Sequence, residues 1–325
     1  MTSRGLLAIL GGFVALALVV AGVLYAIREG VGPLADPDTC IATTSARSVS
    51  LTPEQAENAS IIAAVAERRG MPARAVTIAI ATAYQESKIE NLSGGDRDSL
   101  GLFQQRPSQG WGTPEQIQDP YFASGAFYDA LERVDGYADM EVTEAAQAVQ
   151  RSAYPDAYAA HEDDARTVAS ALTGNSEAAF SCVVDGPEAS GQAAGDDGLT
   201  KRADFVRRAV VTAFGELALG GFEPGGVSTG HMEGSAHYEG RAIDIFFRPV
   251  TDTQQRRGWV VAHYLIANAD RLDIEHVIFD DQIWTAGNLS EDGWREFDPP
   301  GLSEDDSAER RAILEHRDHV HVDVA

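Results

Sequence analysis

The stretch SAHYEGRAIDIF, residues 235–246, decides the fold of the C-terminal half of this chain. Its last five residues would form a strand in which Asp244 lies on one face and the two isoleucines lie on the other. Asp244 then faces a cleft while the isoleucines pack in a core. Gly240 predicts a tight turn before the strand, and this turn brings His237 back beside Asp244.

A second strand is predicted near the end of the chain, where HVHVDV occupies residues 319–324. Its two histidines and its aspartate share one face, and its valines share the other. His237, Asp244 and His321 would then lie on converging segments. Two imidazoles and one carboxylate fit a catalytic Zn²⁺ site, which has three protein ligands and an open position for water. Such an ion lowers the pKa of the water towards about 7 and polarises a carbonyl.

The pattern S-x-H-x-x-G-x-A-x-D, followed by a terminal H-x-H, resembles the zinc D-Ala-D-Ala metallopeptidase superfamily. That superfamily includes D,D-carboxypeptidases, D,D-dipeptidases and endopeptidases that cut the stem peptides of peptidoglycan. The resemblance implies His237, Asp244 and His321 as the metal ligands and Ser235 as a substrate-binding residue. It leaves the scissile bond open, so carboxypeptidase, endopeptidase and amidase activities all remain candidates.

The general base has two candidates. Several members of the superfamily carry a glutamate three residues before the last ligand, and this chain has Asp318 at that position. His319 matches the second active-site histidine of the superfamily. The sequence does not decide between Asp318 and His319. His231 and His316 lie near the two motifs and are candidates for substrate contact.

The first half of the chain carries a different pattern. Glu86-Ser87 is followed by Gly101-Leu-Phe-Gln104, and Gly101 comes fifteen residues after Glu86. A carboxylate near a helix end, facing a segment rich in glycine and glutamine, suits a general acid in a sugar-binding groove. The two motifs resemble those of the lysozyme-like lytic transglycosylases. The resemblance implies Glu86 as the acid/base that cleaves the glycosidic bond.

Other residues of this groove follow from the same resemblance. Gln104, Gln105 and Tyr154 are expected to line it, and Tyr154 stands roughly where the third motif of the family belongs. Asp96 and Asp98 leave open a lysozyme-type hydrolase in which a second carboxylate positions water. A glycan-binding domain without activity is the remaining alternative.

The composition of successive segments predicts a multidomain protein with an all-α domain followed by an α+β domain. Thr52 and Gln55 form a capping-box start for the first helix, and a Gly-rich polar stretch separates the two halves. The predicted organisation is a membrane anchor at 1–30, a linker at 31–50, a lysozyme-like helical domain at 51–182, a flexible linker at 183–200 and a small zinc-peptidase-like domain at 201–325.

The first residues predict the location. Residues 5–27 carry no charge and are numerous enough to span a bilayer, and Arg4 precedes them. The positive-inside rule then leaves the N-terminus in the cytoplasm and the domains outside, as a single-pass cell-membrane protein. A cleaved signal peptide is the alternative. Export to an oxidising space predicts a disulfide between Cys40 and Cys182.

The formal net charge of −25 excludes nucleic acid as a partner, because nothing would neutralise its phosphates. Both resemblances point to peptidoglycan, one to its glycan strands and the other to its stem peptides. We therefore expect a membrane-anchored peptidoglycan hydrolase: a zinc metallopeptidase with lytic transglycosylase or lysozyme-like activity. The alternatives are a non-catalytic wall-binding scaffold with degenerate hydrolase folds and an exported peptidase or amidase with another substrate. The sequence identifies no protein partner.

Overall fold

A computed structural model describes residues 39–152, 156–303 and 305–325. This part of the chain mixes helices with strands, and Thr39–Ala325 form one compact unit. The α-helices are α1 Pro53–Arg68, α2 Ala73–Ser87, α3 Pro114–Ile117, α4 Pro120–Leu131, α5 Val142–Gln150, α6 Glu162–Leu172, α7 Lys201–Phe214, α8 Asp252–Ala267 and α9 Ala308–Leu314. The strands are β1 Thr39–Thr43, β2 Ser48–Leu51, β3 Phe180–Val183, β4 Leu219–Gly220, β5 Ala242–Phe246, β6 Ile274–Phe279, β7 Gln282–Thr285, β8 Arg295–Glu296 and β9 His319–Val324.

The helical half is built around α1 and α2. The predicted capping box starts α1: the Thr52 hydroxyl accepts from the Gln55 backbone N–H at 3.3 Å, and the Gln55 side chain accepts from the Thr52 N–H at 2.9 Å. In α2, residues 75–83 are all buried, and four of them are alanines. Small side chains allow neighbouring helices to approach closely, so α2 forms the centre of this half.

A three-stranded sheet in the order β2-β1-β3 joins the two ends of the helical half. Cys40 and Cys182 are direct cross-strand partners in it, and they form the predicted disulfide. The sequence analysis assigned 31–50 to a linker, whereas the structure places β1 and β2 there. These strands are short, and β1 pairs on one side with β2 and on the other with β3, a contact distant in sequence.

The second sheet has six strands in the order β4-β5-β9-β6-β7-β8, and all its neighbours are antiparallel. In its central strands Ile243, Ile245, Val320 and Val322 are buried. They belong to one hydrophobic core that also takes in α8 and the helices of the first half. The opposite face of β5 and β9 carries the polar residues of the candidate site.

The halves predicted as separate domains contact one another directly. Glu67 of α1 forms ion pairs with Arg256 and Arg257 of α8, at 3.1 and 3.0 Å. The hydroxyls of Tyr121 and Tyr264 lie 2.8 Å apart. The boundaries at 182 and 201 stay a prediction, but the segment between them joins two halves that share a core.

The predicted single-pass membrane localisation is corrected by the structure. Among the described helices, none is both long and apolar enough to cross a bilayer. A single-pass membrane protein is therefore not supported. The expected anchor itself, residues 1–30, lies outside the described residues.

Reducing the Cys40–Cys182 disulfide should lower the free energy of unfolding. The bridge joins residues 142 positions apart, and the loop-entropy model gives an upper estimate of about 5 kcal/mol for a loop of that size. Urea unfolding of the oxidised and reduced protein measures the difference. Equal transition midpoints would show that the sheet holds the helical half closed without the bridge.

Candidate metal centre and second candidate site

The predicted metal residues lie at the floor of a cleft of about 720 Å³. A short 3₁₀ helix, Ala236–Glu239, carries His237, while β5 carries Asp244 and β9 carries His321. Antiparallel pairing sets Asp244 directly opposite His321. Directly opposed residues point to the same side of a sheet, so both face the cleft. The loop at 230–236 and residues of the segments 297–303 and 305–316 contribute the walls.

The three predicted ligands form a tight triangle. His237 Nε2 lies 3.0 Å from His321 Nδ1 and 3.2 Å from Asp244 Oδ1, and the latter two atoms lie 3.1 Å apart. All three side chains are buried. Nitrogen and oxygen ligands about 2.0–2.1 Å from a tetrahedral zinc ion would be separated by about 3.3–3.4 Å. The donor set and its spacing therefore fit a zinc ion with little adjustment.

Outer hydrogen bonds determine which ring nitrogen faces the triangle. His237 Nδ1 donates to the Gly221 carbonyl at 2.8 Å, and His321 Nε2 donates to Asp323 Oδ2 at 3.3 Å. In the neutral rings the other nitrogen of each histidine then carries a lone pair. These two lone pairs and a carboxylate oxygen of Asp244 converge on one point. Such an arrangement is repulsive unless a cation lies among them.

The charges around the triangle follow from its contacts. Burial alone would raise the pKa of Asp244, but its contacts with His237 and His321 outweigh burial and hold that pKa well below its usual value. Burial would lower the pKa of His321, but the carboxylates of Asp244 and Asp323 raise it to about 9. Without a metal, a proton therefore supplies the positive charge that the triangle requires.

The two candidates for the general base occupy different places. Asp318 Oδ1 accepts from His319 Nδ1 at 2.6 Å, and Asp318 Oδ2 accepts from Arg248 Nε at 2.6 Å. Burial would raise the pKa of Asp318, yet these two partners hold it below its usual value. His319 lines the cleft, and its Nε2 lies 3.7 Å from Asp244 Oδ1. The free ring nitrogen of His319 thus faces the metal residues, while both carboxylate oxygens of Asp318 are engaged behind it.

The remaining motif residues also lie at the cleft. The His231 ring stacks on His237 with centroids 3.9 Å apart, and one donor atom from each of these rings and from Asp244 lie within 4.8 Å of one another. His316 packs against His319, and burial with the two neighbouring histidines lowers the pKa of His316 to about 3. The Ser235 hydroxyl accepts from the His237 backbone N–H at 3.4 Å. Ser235 therefore starts the 3₁₀ helix besides lining the cleft.

The sequence analysis missed the residues that form the cleft walls. Arg241, Arg248 and Arg310 line it, and they bring positive charge into a strongly acidic chain. Met232 and Ile313 line the same cleft and keep 44% and 43% of their surface exposed. No pattern in the sequence marks these five residues, because they come from segments that only the tertiary fold brings together.

Glu86 lies at the end of α2 and is half-buried. The Tyr158 hydroxyl donates to Glu86 Oε1 at 2.7 Å. Burial raises the pKa of Glu86, as expected of a general acid, and hydrogen bonds from Tyr158 and Gln150 offset only part of the shift. The neighbouring Ser87 hydroxyl donates to the Leu102 carbonyl at 2.7 Å, so the two sequence motifs are in direct contact.

The residues predicted to line the groove at Glu86 differ in placement. Gln105 is 1% exposed, and its amide donates to the Ala123 carbonyl, so its side chain holds the loop to α4. Gln104 is partly exposed and bonds within its own loop. Tyr154 lies outside the described residues. Asp98 accepts from Arg106 at 2.7 Å and from the Ser108 N–H, which occupies both of its oxygens.

Comparison with known proteins gives one family match. A family model described as VldE, C-terminal domain, matches residues 195–307. The matched segment contains His237 and Asp244 and ends before His319 and His321. Its description does not name a zinc D-Ala-D-Ala peptidase, and the match does not reach the helical half, whose lysozyme-like character stays a prediction. No curated protein matches this chain.

Gly221→Ala should weaken metal binding. Gly221 has φ +77°, and a Cβ there would lie 2.3 Å from Cε1 of His237. The His237 ring would have to shift from its present position. Gly225→Ala is the matched control, since Gly225 has a similar φ of +87° and open space around it. Zinc titration against a chromophoric chelator should show a weaker affinity for Gly221→Ala than for Gly225→Ala, and equal affinities would contradict the assigned position of His237.

Proposed function

We propose that this protein is a zinc-dependent peptidase that cleaves the stem peptides of peptidoglycan. The observation that carries the proposal is the convergence of three electron-pair donors, from His237, Asp244 and His321, on one buried point of a large cleft. The outer nitrogens of both histidines are already bonded, to Gly221 and Asp323, so the inner nitrogens and the carboxylate are placed to hold a cation.

The residues of the cleft have separate roles in this proposal. His237, Asp244 and His321 hold the ion, which when bound supplies Lewis acidity at a carbonyl and lowers the pKa of a water molecule. His319 accepts a proton at Nε2, because its Nδ1–H donates to Asp318. Asp318 orients that ring and stays ionised between His319 and Arg248. We therefore propose His319, and not Asp318, as the general base.

The cleft walls support a peptide substrate. Arg241, Arg248 and Arg310 each pair with a carboxylate of this chain, and their remaining N–H groups can donate to substrate oxygens. Met232 and Ile313 offer apolar contact to side chains. Such a mixture of cationic and apolar groups suits a short peptide that carries both charges and aliphatic side chains. Stem peptides of peptidoglycan have this chemistry.

A second activity, cleavage or binding of glycan strands by the helical half, is proposed from Glu86. Burial raises the pKa of Glu86, which favours a carboxylic acid, and the hydrogen bond from Tyr158 offsets only part of that rise while it fixes the position of the carboxyl group. Gln104 stays the candidate for sugar contact, whereas the side chain of Gln105 is buried and is not proposed to contact the sugar. Both proposed substrates belong to one polymer. The alternative is a wall-binding scaffold in which neither site is active.

The metal site is tested by zinc content and by products. The purified protein should bind close to one equivalent of zinc, and His237→Ala, Asp244→Ala and His321→Ala should each lose it, since two donors hold zinc poorly. His319→Gln should keep the zinc while cleavage falls by about 10²–10⁴-fold, the contribution typical of a general base. Mass spectrometry of digested peptidoglycan identifies the scissile bond.

Three results would contradict this proposal. Cleavage that persists in His321→Ala would place the chemistry elsewhere. Zinc bound without any release of peptide fragments would favour the scaffold. Loss of zinc in His319→Gln would make that residue a ligand instead of a base.

Glu86→Gln should abolish the release of sugar fragments while Glu90→Gln, a nearby control on the same segment, should not. Gln keeps the shape of the side chain and removes the proton that a general acid transfers. Anhydro-sugar products from the parent would indicate a transglycosylase, and reducing ends would indicate a hydrolase. Equal rates in Glu86→Gln and parent would contradict a catalytic role.

The pKa of Glu86 gives an independent readout of the same substitution. Because the folded pKa lies above the unfolded value of about 4.3, protonated Glu86 stabilises the fold below that value, and this stabilisation is lost as pH rises through the raised pKa. Glu86→Gln does not titrate. Its unfolding free energy should therefore increase relative to the parent as pH rises through this window, and a pH-independent difference would show that Glu86 is not desolvated.

A further inference from the structure

We propose that Asp323 and His276 form a relay behind His321 that fixes this ring as an Nδ1 ligand and tunes its affinity for the metal. Neither residue belongs to the ligand set implied by the sequence motifs. The inference rests on the proposed metal function of His237, Asp244 and His321. It assigns positioning roles to two residues that do not touch the ion.

The relay is a continuous chain of hydrogen bonds. Asp323 Oδ2 accepts from His321 Nε2 at 3.3 Å, and Asp323 Oδ1 accepts from His276 Nδ1 at 2.9 Å. The Asp323 side chain is 11% exposed and that of His276 is 31% exposed. Each oxygen of this buried carboxylate thus has an imidazole partner. Partners of this kind set the tautomer of a metal-bound histidine and raise its basicity.

An irregularity in the sheet places His276 in the relay. In the pairing of β6 with β9, Ile274 lies opposite Val324 and His276 lies opposite Asp323. Strand β6 therefore has one extra residue, Glu275, between two consecutive residues of β9. In a regular strand Ile274 and His276 would share a face. The bulge instead leaves Ile274 in the core and turns His276 to the cleft, where it meets Asp323. Bulges commonly re-aim a side chain beside an active site.

The same three residues could be considered a second cation site, because donor atoms of Glu275, His276 and Asp323 lie within 4.8 Å of one another. Their contacts favour the relay. Both oxygens of Asp323 already accept from imidazoles, and Glu275 is directed to Arg241 at 3.5 Å. A second ion would have to displace the hydrogen bond that orients His276.

Zinc affinity of the full chain, measured by competition with a chromophoric chelator, tests the relay without relying on catalysis. Asp323→Ala should weaken zinc binding by about 10–100-fold, the usual cost of losing an outer partner. His276→Leu should weaken it less, because Asp323 remains. His276→Gln keeps a donor N–H and should restore most of the affinity. Glu275→Gln is the matched control and should bind zinc as the parent does.

Cobalt substitution gives a second readout that a purely structural role would not move. The visible d–d bands report the ligand field, and they should shift in Asp323→Ala and stay unchanged in Glu275→Gln. Thermal unfolding of the metal-free variants shows whether each of them folds. If Asp323→Ala does not fold, the test rests on His276→Leu and His276→Gln. Equal zinc affinities of these two variants would then overturn the relay.

The remaining outcomes separate the relay from the proposed function. Parental affinity and parental cobalt bands in Asp323→Ala overturn the relay alone and leave the three ligands in place. Two zinc equivalents in the parent, with one of them lost in both Asp323→Ala and Glu275→Gln, identify a second cation site and also overturn it. A parent protein that binds no zinc overturns the proposed function together with the relay.

Discussion

Antiparallel pairing of β5 with β9 places Asp244 opposite His321, and the candidate metal centre depends on that register. A slip of one residue would turn the polar side chains of β9 into the core and its valines into the cleft. His237 joins the pair from a separate 3₁₀ helix, whose position Ser235 and the close approach of Gly221 secure. The three donors need a positive charge among them, which a metal ion or a proton on His321 can supply.

Burial acts in opposite directions at the two candidate sites. At Glu86 desolvation dominates and raises the pKa of the carboxyl group, the direction that suits an acid. At Asp244 contacts with two histidines outweigh an even deeper burial, so the carboxylate stays ionised and suits a ligand. The two residue types have nearly the same intrinsic acidity. The surroundings of each carboxyl group, and not its intrinsic acidity, therefore decide whether it suits a general acid or a metal ligand.

Much of the candidate metal centre follows from the sequence. Alternation with a period of two, at 242–246 and 319–324, determines which residues face the cleft, because strand geometry leaves no other choice. The disulfide between Cys40 and Cys182 could be predicted because the chain has only these two cysteines, and the structure confirms it. The expected single-pass membrane protein is not supported, because no described helix can cross a bilayer.

Only the tertiary structure decided the features that depend on contacts distant in sequence. It paired β1 with β3, directed Asp318 away from the cleft and behind His319, and set arginines from three segments around one pocket. It also moved His276 onto the cleft through a bulge that no local pattern encodes. The sequence by itself determined which side chains each strand presents, because that depends on backbone periodicity alone. Which of these side chains contact one another, and which of them are charged, depends on packing between segments far apart in the chain.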